Sequence, residues 1–203
     1  MEREKKRRET RERIVASATD LVEAQGFDNV TVDDICAAAG ISRRTFFNYM
    51  DSKDEAVLGA APLAVTDDAL SRIAGTQAGN LVDLVISEIS LPGDDVLDRA
   101  TLARRKRIFA DNPTLANLAL ARRRTTLTAI AGALEEHFHT FPGDRMLADQ
   151  PVGAEIQAII ETVQNALGIT AFNPELFDPD RDLRDNVRSA AVFITDFARK
   201  LEW

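Results

Sequence analysis

TVDDICAAAGISRRTFFNYMDSK, Thr31 to Lys53, decides how the rest of the chain is read. It predicts two short helices joined by a tight turn. Thr31 can cap the first, with Asp33 and Asp34 in the opening turn, where negative charge suits the helix dipole. Ile35 and the run Cys36-Ala37-Ala38-Ala39 give that helix a compact inner face. Gly40 stops it, because the position just past a helix end often needs the left-handed conformation that glycine adopts cheaply. Ser42 then caps a second helix, Arg43 to about Met50, and Ser52 offers a cap to a third beginning at Lys53. Two helices about a glycine-centred turn, the second rich in Arg, Thr and Asn, describe a helix-turn-helix.

The side chains of the second helix divide by chemistry. Arg43 and Arg44 can bond guanine edges in bidentate fashion or grip phosphates. Asn48 can read adenine or reach only the backbone, while Thr45 and Tyr49 suit a phosphate or a thymine methyl. Lys53 and Thr31, each at a helix start, are expected on phosphate, and Ser42 and Phe47 complete the candidate contact set. The plainer alternative is that all of these are surface residues without a ligand. Phe27, Val30, Ile35, Ile41, Phe46 and Met50 are expected in the core. Cys36, beside the alanines, reads as a small core residue, with a redox sensor as the alternative.

Residues 13–58, RIVASATDLVEAQGFDNVTVDDICAAAGISRRTFFNYMDSKDEAVL, resemble the N-terminal domain of the TetR family of bacterial transcriptional repressors. The resemblance rests on Gly26-Phe27, Thr31-Val32, Asp34-Ile35, Ala39-Gly40-Ile41-Ser42, Thr45-Phe46 and Ser52-Lys53, in that order and spacing. Two positions depart from the family pattern: Phe47 stands where tyrosine is usual and so lacks a hydroxyl for phosphate, and Cys36 stands where alanine is usual. Beyond residue 58 the likeness is one of size and helical character. It implies an all-α protein in which a three-helix DNA-binding domain precedes a larger helical bundle for effector binding and dimerisation. It also implies a homodimer on a palindromic operator, released by a small-molecule effector.

Composition sets the outer bounds. The 203 residues are 45% hydrophobic, enough for a substantial core. The apolar runs are broken by charge short of a bilayer's width, and the opening MEREKKRRETRER lacks the apolar stretch of a signal peptide, so a cytoplasmic protein without membrane contact is expected. One cysteine excludes an internal disulfide and a cysteine-based zinc site. Residues 1–53 hold 10 Lys and Arg against 10 Asp and Glu, and the remainder holds 15 against 23, so the net charge of −8 lies in the body. DNA contact should therefore be local to the N-terminal face. We place the domain boundary at residue 53, giving domains 1–53 and 54–203.

The rest of the chain reads as helices separated by Gly and Pro. A scaffold helix is expected from about Thr10 to Gln25, and residues 1–13, with Arg3, Lys5, Lys6, Arg7, Arg8, Arg11 and Arg13, form a mixed-charge arm that is either a solvated extension or a follower of DNA phosphates or the minor groove. Pro62 should interrupt the segment after the third helix. Helices are then expected over Thr66–Ala74, Asn80–Ser90, Asp94–Ala110, Pro113–Thr140, Val152–Leu167 with Gly168 as stop, and Asp182–Leu201. The last two carry Ile156, Ile159, Ile160, Val163 and Leu167, then Val187, Ala191 and Ile194, faces that can pack within one chain. The resemblance makes them a dimer interface, and a dimer also suits a reader whose single short helix covers too few bases to be specific.

An effector pocket, implied by the resemblance, has weaker pointers: Phe109, Arg122, Thr126, His137 and Phe138, any of which can equally be core or polar margin. The clusters Arg104-Arg105-Lys106-Arg107 and Arg122-Arg123-Arg124 read as solvated faces with acidic partners. His137 and His139 diverge on a helix and have no third ligand at a suitable spacing, so neither metal nor cofactor is expected. No phosphate loop, metal set or nucleophile motif marks an enzyme. The rival readings are an activator or corepressor-dependent regulator, an enzyme carrying a helix-turn-helix, and a helix-turn-helix interaction protein that no longer binds DNA.

Overall fold

A computed structural model of the chain describes residues 2–59, 64–90, 104, 107–173, 176, 178 and 181–201, with the side chains of 2–5 and 172 left aside. The described residues are helical, and an isolated antiparallel bridge between Ala64 and Ser90 is their nearest approach to a strand. The all-α expectation holds. The expected helix 94–110 falls largely outside the described residues, with only 104 and 107–111 seen as helix, and the Pro62 interruption lies outside them altogether.

The chain forms two compact units, residues 1–61 with 104–120, and 62–103 with 121–203. These units differ from a cut at residue 53 in two respects. The helix after the reader buries Ala56, Val57 and Leu58 in the first unit's core, so it stays with that unit. Ile108 and Leu115, far along the chain, are buried in the same core.

In the first unit, α1 (Glu2–Gln25) starts well before the expected Thr10. Ile14, Ala18 and Val22, spaced by four residues, form its buried line. Gly26, at φ 82°, leads into a short 3-10 turn, Phe27–Asn29. Three short helices follow: α2 (Val32–Ala39), α3 (Arg43–Phe47) and α4 (Lys53–Leu58). Phe46, Ile35, Ile14, Met50 and Val30 are the large side chains closed off at the centre. Cys36 joins them, and burial, followed by the charge of Asp33, pushes its thiol up, which keeps it protonated and inert.

The second unit holds α5 (Asp67–Gly75), α6 (Leu81–Glu88), the C-terminal part of α7 (Pro113–Thr140), α8 (Val152–Phe172) and α9 (Leu183–Arg199). Thr66, Asn80 and Asp182 cap α5, α6 and α9 by accepting the backbone N–H three residues on. The core gathers Ile73, Val85, Ile86, Ile89, Ile130, Leu134, Val163 and Val187. Gly168 does not stop α8, which runs on to Phe172. Thr170 and Ala171 beyond it are buried, and that burial outweighs the roughly 1 kcal/mol that a mid-helix glycine costs.

Candidate nucleic-acid interface

The helix-turn-helix is built from local hydrogen bonds that its sequence makes possible. Thr31 and Asp34 form a reciprocal capping box: the Asp34 N–H donates to Thr31 Oγ1 at 3.2 Å, and the Thr31 N–H donates to Asp34 Oδ2 at 2.8 Å. The Thr31 hydroxyl adds a bond of 2.6 Å to the same oxygen. Those bonds from Thr31 hold the Asp34 carboxyl below its ordinary value. Gly40 closes α2 in the left-handed region, at φ 63° and ψ 40°. A β-carbon there would meet nothing within 4 Å, so the backbone angle, and not space, calls for glycine. Ser42 caps α3, accepting the Thr45 N–H at 3.0 Å and lying 2.8 Å from the Thr45 hydroxyl.

The reading helix is shorter than expected, ending at Phe47 instead of near Met50. Asn48 becomes its cap, and the chain winds on through Tyr49 N–H and Met50 N–H bonds to the Phe46 carbonyl. Ser42, Arg43, Arg44, Phe47 and Asn48 are exposed together, with Thr45 and Tyr49 half-buried beside them. Phe46 anchors the helix from beneath, and Phe47 stands edge-on to it with ring centroids 5.3 Å apart. These side chains thus share one surface of a helix capped by Ser42 and anchored by Phe46.

Two of the three cations in the candidate set are engaged inside the protein. Arg43 donates one nitrogen to both oxygens of Asp33, at 2.9 and 3.0 Å, with its guanidinium 5.7 Å from the Phe47 ring. Both partners are mostly exposed, so the pair is weak and exchangeable. Lys53 is different. Its ammonium donates to the Phe27 and Val30 carbonyls, each at 2.8 Å, and sits 3.9 Å from the centre of the Phe27 ring. The expectation of Lys53 on phosphate thus meets a side chain turned inward, where it ties the start of α4 to the 3-10 turn.

A second tie escaped the sequence reading. Arg11, assigned to a mixed-charge arm, donates to the Tyr49 carbonyl and to Glu55 Oε1, both at 2.9 Å. Glu55 Oε2 in turn accepts the Asp51 N–H at 2.6 Å. Acceptors 38 and 44 residues away leave no periodic signal. In the same unit Arg104 pairs with Asp20 at 2.5 Å and Glu23 at 2.6 Å, and Arg107 pairs with Glu23 at 2.8 Å. These bonds, that from Arg107 first, pull the Glu23 carboxyl down. Arg105 and Lys106 of that cluster lie outside the described residues.

The effector candidates fall in both units. Phe109 packs on the first unit's core, while Arg122, Thr126, His137 and Phe138 belong to the second. His137 is fully buried between the Ile73 carbonyl, 2.9 Å from Nδ1, and Asp144 Oδ2, 3.1 Å from Nε2. Asp144 also accepts the Ala78 N–H at 2.8 Å, and that bond is the first cause of its lowered carboxyl. Phe138 is core, and the Thr126 hydroxyl bonds the Arg122 carbonyl at 3.2 Å. A cavity of about 260 Å³ in the first unit is lined by Arg7, Arg8, Arg11 and Tyr49. One of about 230 Å³ in the second, lined by Ile169, Thr170, Leu176, Asn186, Ser189, Ala190 and Phe193, touches none of the five effector candidates.

The dimer candidates fare similarly. Ile156, Ile159, Val163, Leu167 and Val187 are buried in the chain's own core, and Ile160, Ala191 and Ile194 pack against it. Helical spacing marks an apolar face without saying which partner covers it, and here the chain itself covers most of it. The large apolar side chains that α9 leaves exposed are Val192, Phe193 and Phe197.

Capped α2, a left-handed glycine turn and an α3 with exposed Arg, Asn and Ser define a helix-turn-helix domain of the kind that inserts into the major groove. Residues 14–59 match the family model described as bacterial regulatory proteins, tetR family, so the likeness is carried by this domain. It is 37% identical over 67 residues to the HTH-type transcriptional regulator TcmR of Streptomyces glaucescens, covering 33% of this chain and 29% of that protein. It is 38% identical over 99 residues to the putative mycofactocin biosynthesis transcriptional regulator MftR of Mycobacterium tuberculosis (strain ATCC 25618 / H37Rv), covering 49% of this chain and 44% of that one. The matches thus span less than half of either relative. A solved structure of a putative TetR-family transcriptional regulator from Mesorhizobium loti MAFF303099 aligns with a TM-score of 0.46 at 16% identity, covering 95% of this chain and 96% of that one.

Proposed function

We propose that the protein is a transcriptional regulator that binds duplex DNA through α3, acting as a repressor in the form of a homodimer on a palindromic operator. The observation that carries this reading is the exposed set Ser42, Arg43, Arg44 and Asn48 on a helix capped at one end and anchored by Phe46. Arg44 supplies the free fork for a guanine edge, and Arg43 exchanges Asp33 for DNA at little cost. Thr31, Thr45, Tyr49 and, after rearrangement, Lys53 serve as backbone contacts. The exposed Val192, Phe193 and Phe197 on α9, with Ile160, Ala191 and Ile194 beside the core, support self-association. In this reading a small-molecule effector releases the DNA by favouring a body conformation incompatible with the operator. DNA then weakens effector binding by the same factor. The protein works without a cofactor, in the cytoplasm.

The second reading, a helix-turn-helix that contacts protein instead of DNA, draws on Phe47, 48% exposed and lacking a hydroxyl. Fluorescence anisotropy on DNA from upstream of the protein's own gene, against a scrambled duplex, separates the two. A specific reader prefers the first by roughly a thousandfold or more. Replacing Arg43 and Arg44 by Ala abolishes that preference with the fold intact. Absence of binding to either duplex refutes the DNA reading.

A further inference from the structure

We infer that the groove between the N-terminal half of α1 and the end of α3, lined by Arg7, Arg8, Arg11 and Tyr49, is a phosphodiester subsite that extends the DNA footprint beyond the reading helix. This rests on the DNA-binding reading above and adds to its Tyr49 contact Arg7 and Arg8, which that reading does not use.

The groove is built with one fixed arginine and two available ones. Arg11 is held by the Tyr49 carbonyl and Glu55, so it positions the wall and sets the spacing between α1 and the chain after α3. Arg7 has no ion-pair partner among the described residues. Arg8 meets Glu12 at 3.5 Å, with the two side chains 73% and 56% exposed. An i,i+4 pair so exposed is worth only a few tenths of a kcal/mol, and a phosphate oxygen displaces it readily. The Tyr49 hydroxyl makes no hydrogen bond among the described residues and lies at the same groove. Two arginine forks and a phenol around a cavity of about 260 Å³ match the donors that a phosphodiester accepts. Free carboxylates are absent from the lining. The surrounding Glu9 and Glu12 keep the arm from attracting nucleic acid indiscriminately.

Contacts to phosphate carry no sequence information and add to the salt dependence of binding, about 0.9 in the slope of log K against log salt for each contact. The test measures binding of the full-length protein to the upstream duplex and to a scrambled duplex over a salt series. Arg7→Ala and Arg8→Ala each lower affinity roughly two- to fivefold, equally on both duplexes, and flatten the slope by about 0.9 apiece. Glu12→Gln, which frees Arg8, raises affinity on both. Arg124→Ala, an exposed change in the second unit, leaves binding unaltered. Alanine suits a helix interior, and circular dichroism confirms that each variant keeps α1. Binding and slope unchanged in the two arginine variants overturn the subsite while leaving the DNA reading standing. A loss confined to the upstream duplex overturns it in favour of base reading. No binding by the unsubstituted protein overturns both.

Discussion

Lys53 separates a structural clamp from a DNA contact, and its removal gives different results in each case. Its ammonium bonds two backbone carbonyls, Phe27 and Val30, and lies 3.9 Å from the Phe27 ring centre. Lys53→Met keeps the stem but leaves both carbonyls without this donor. Hydrogen bonds to a charged group contribute about 1.5–3 kcal/mol each when buried. The site is half-buried, so about half of that applies to each, and a partly exposed cation–π contact adds about 0.5–1 kcal/mol. The expected loss is about 2–4 kcal/mol, a large share of a small unit's total stability. Urea denaturation followed by circular dichroism reads the sum. Hydrogen exchange localises it, with faster exchange expected for the amides of 27–35 and 53–58 and little change in the second unit. Lys53→Arg should recover part of the loss. A change below about 0.5 kcal/mol, together with a DNA salt slope flatter by about 0.9, would refute the clamp and restore the phosphate role.

Other consequences can be checked alongside. Ser42→Ala removes the cap of α3 and should cost about 1 kcal/mol, visible as a lower urea midpoint and weaker DNA binding; no change in either would show that the helix stands on Phe46 alone. Arg145, whose guanidinium meets the buried Glu155 at 3.1 Å and the Leu147 and Gln150 carbonyls, holds the loop before α8. Arg145→Met leaves a buried carboxylate unpaired and should cost about 3–5 kcal/mol, whereas Arg145→Met with Glu155→Gln recovers part of it. The carboxyls of Asp34 and Asp144 lie below their ordinary values, the first through Thr31 and the second through the Ala78 N–H. Their stabilisation is complete above the unfolded carboxylate range and is lost as pH falls through the depressed folded values. Asp144→Asn should therefore flatten the acid limb of a stability-versus-pH curve, and an unchanged limb would show that Asp144 contributes nothing there.

The N-terminal unit was legible because its signals are local. Thr31, Ser42 and Ser52 each cap a helix through a bond to the residue three positions on, and Gly40 adopts the one backbone region that glycine favours, so sequence order alone fixes α2, the turn and the starts of α3 and α4. The helix starts expected at Thr66, Asn80 and Asp182 stand for the same reason, each being a cap that accepts the N–H three residues on. Tertiary structure decided the rest, because burial and long-range partners have no period in the sequence. It carried α8 past Gly168 and took Ile156 and Val163 into the chain's own core. It enclosed His137 between Ile73 and Asp144, turned Lys53 from an expected phosphate contact to two carbonyls, and drew Arg11 of the mixed-charge arm to a carbonyl and a carboxylate within the protein. A long cationic side chain reaches several ångströms in any direction, and only the packed backbone says which acceptor lies at its end.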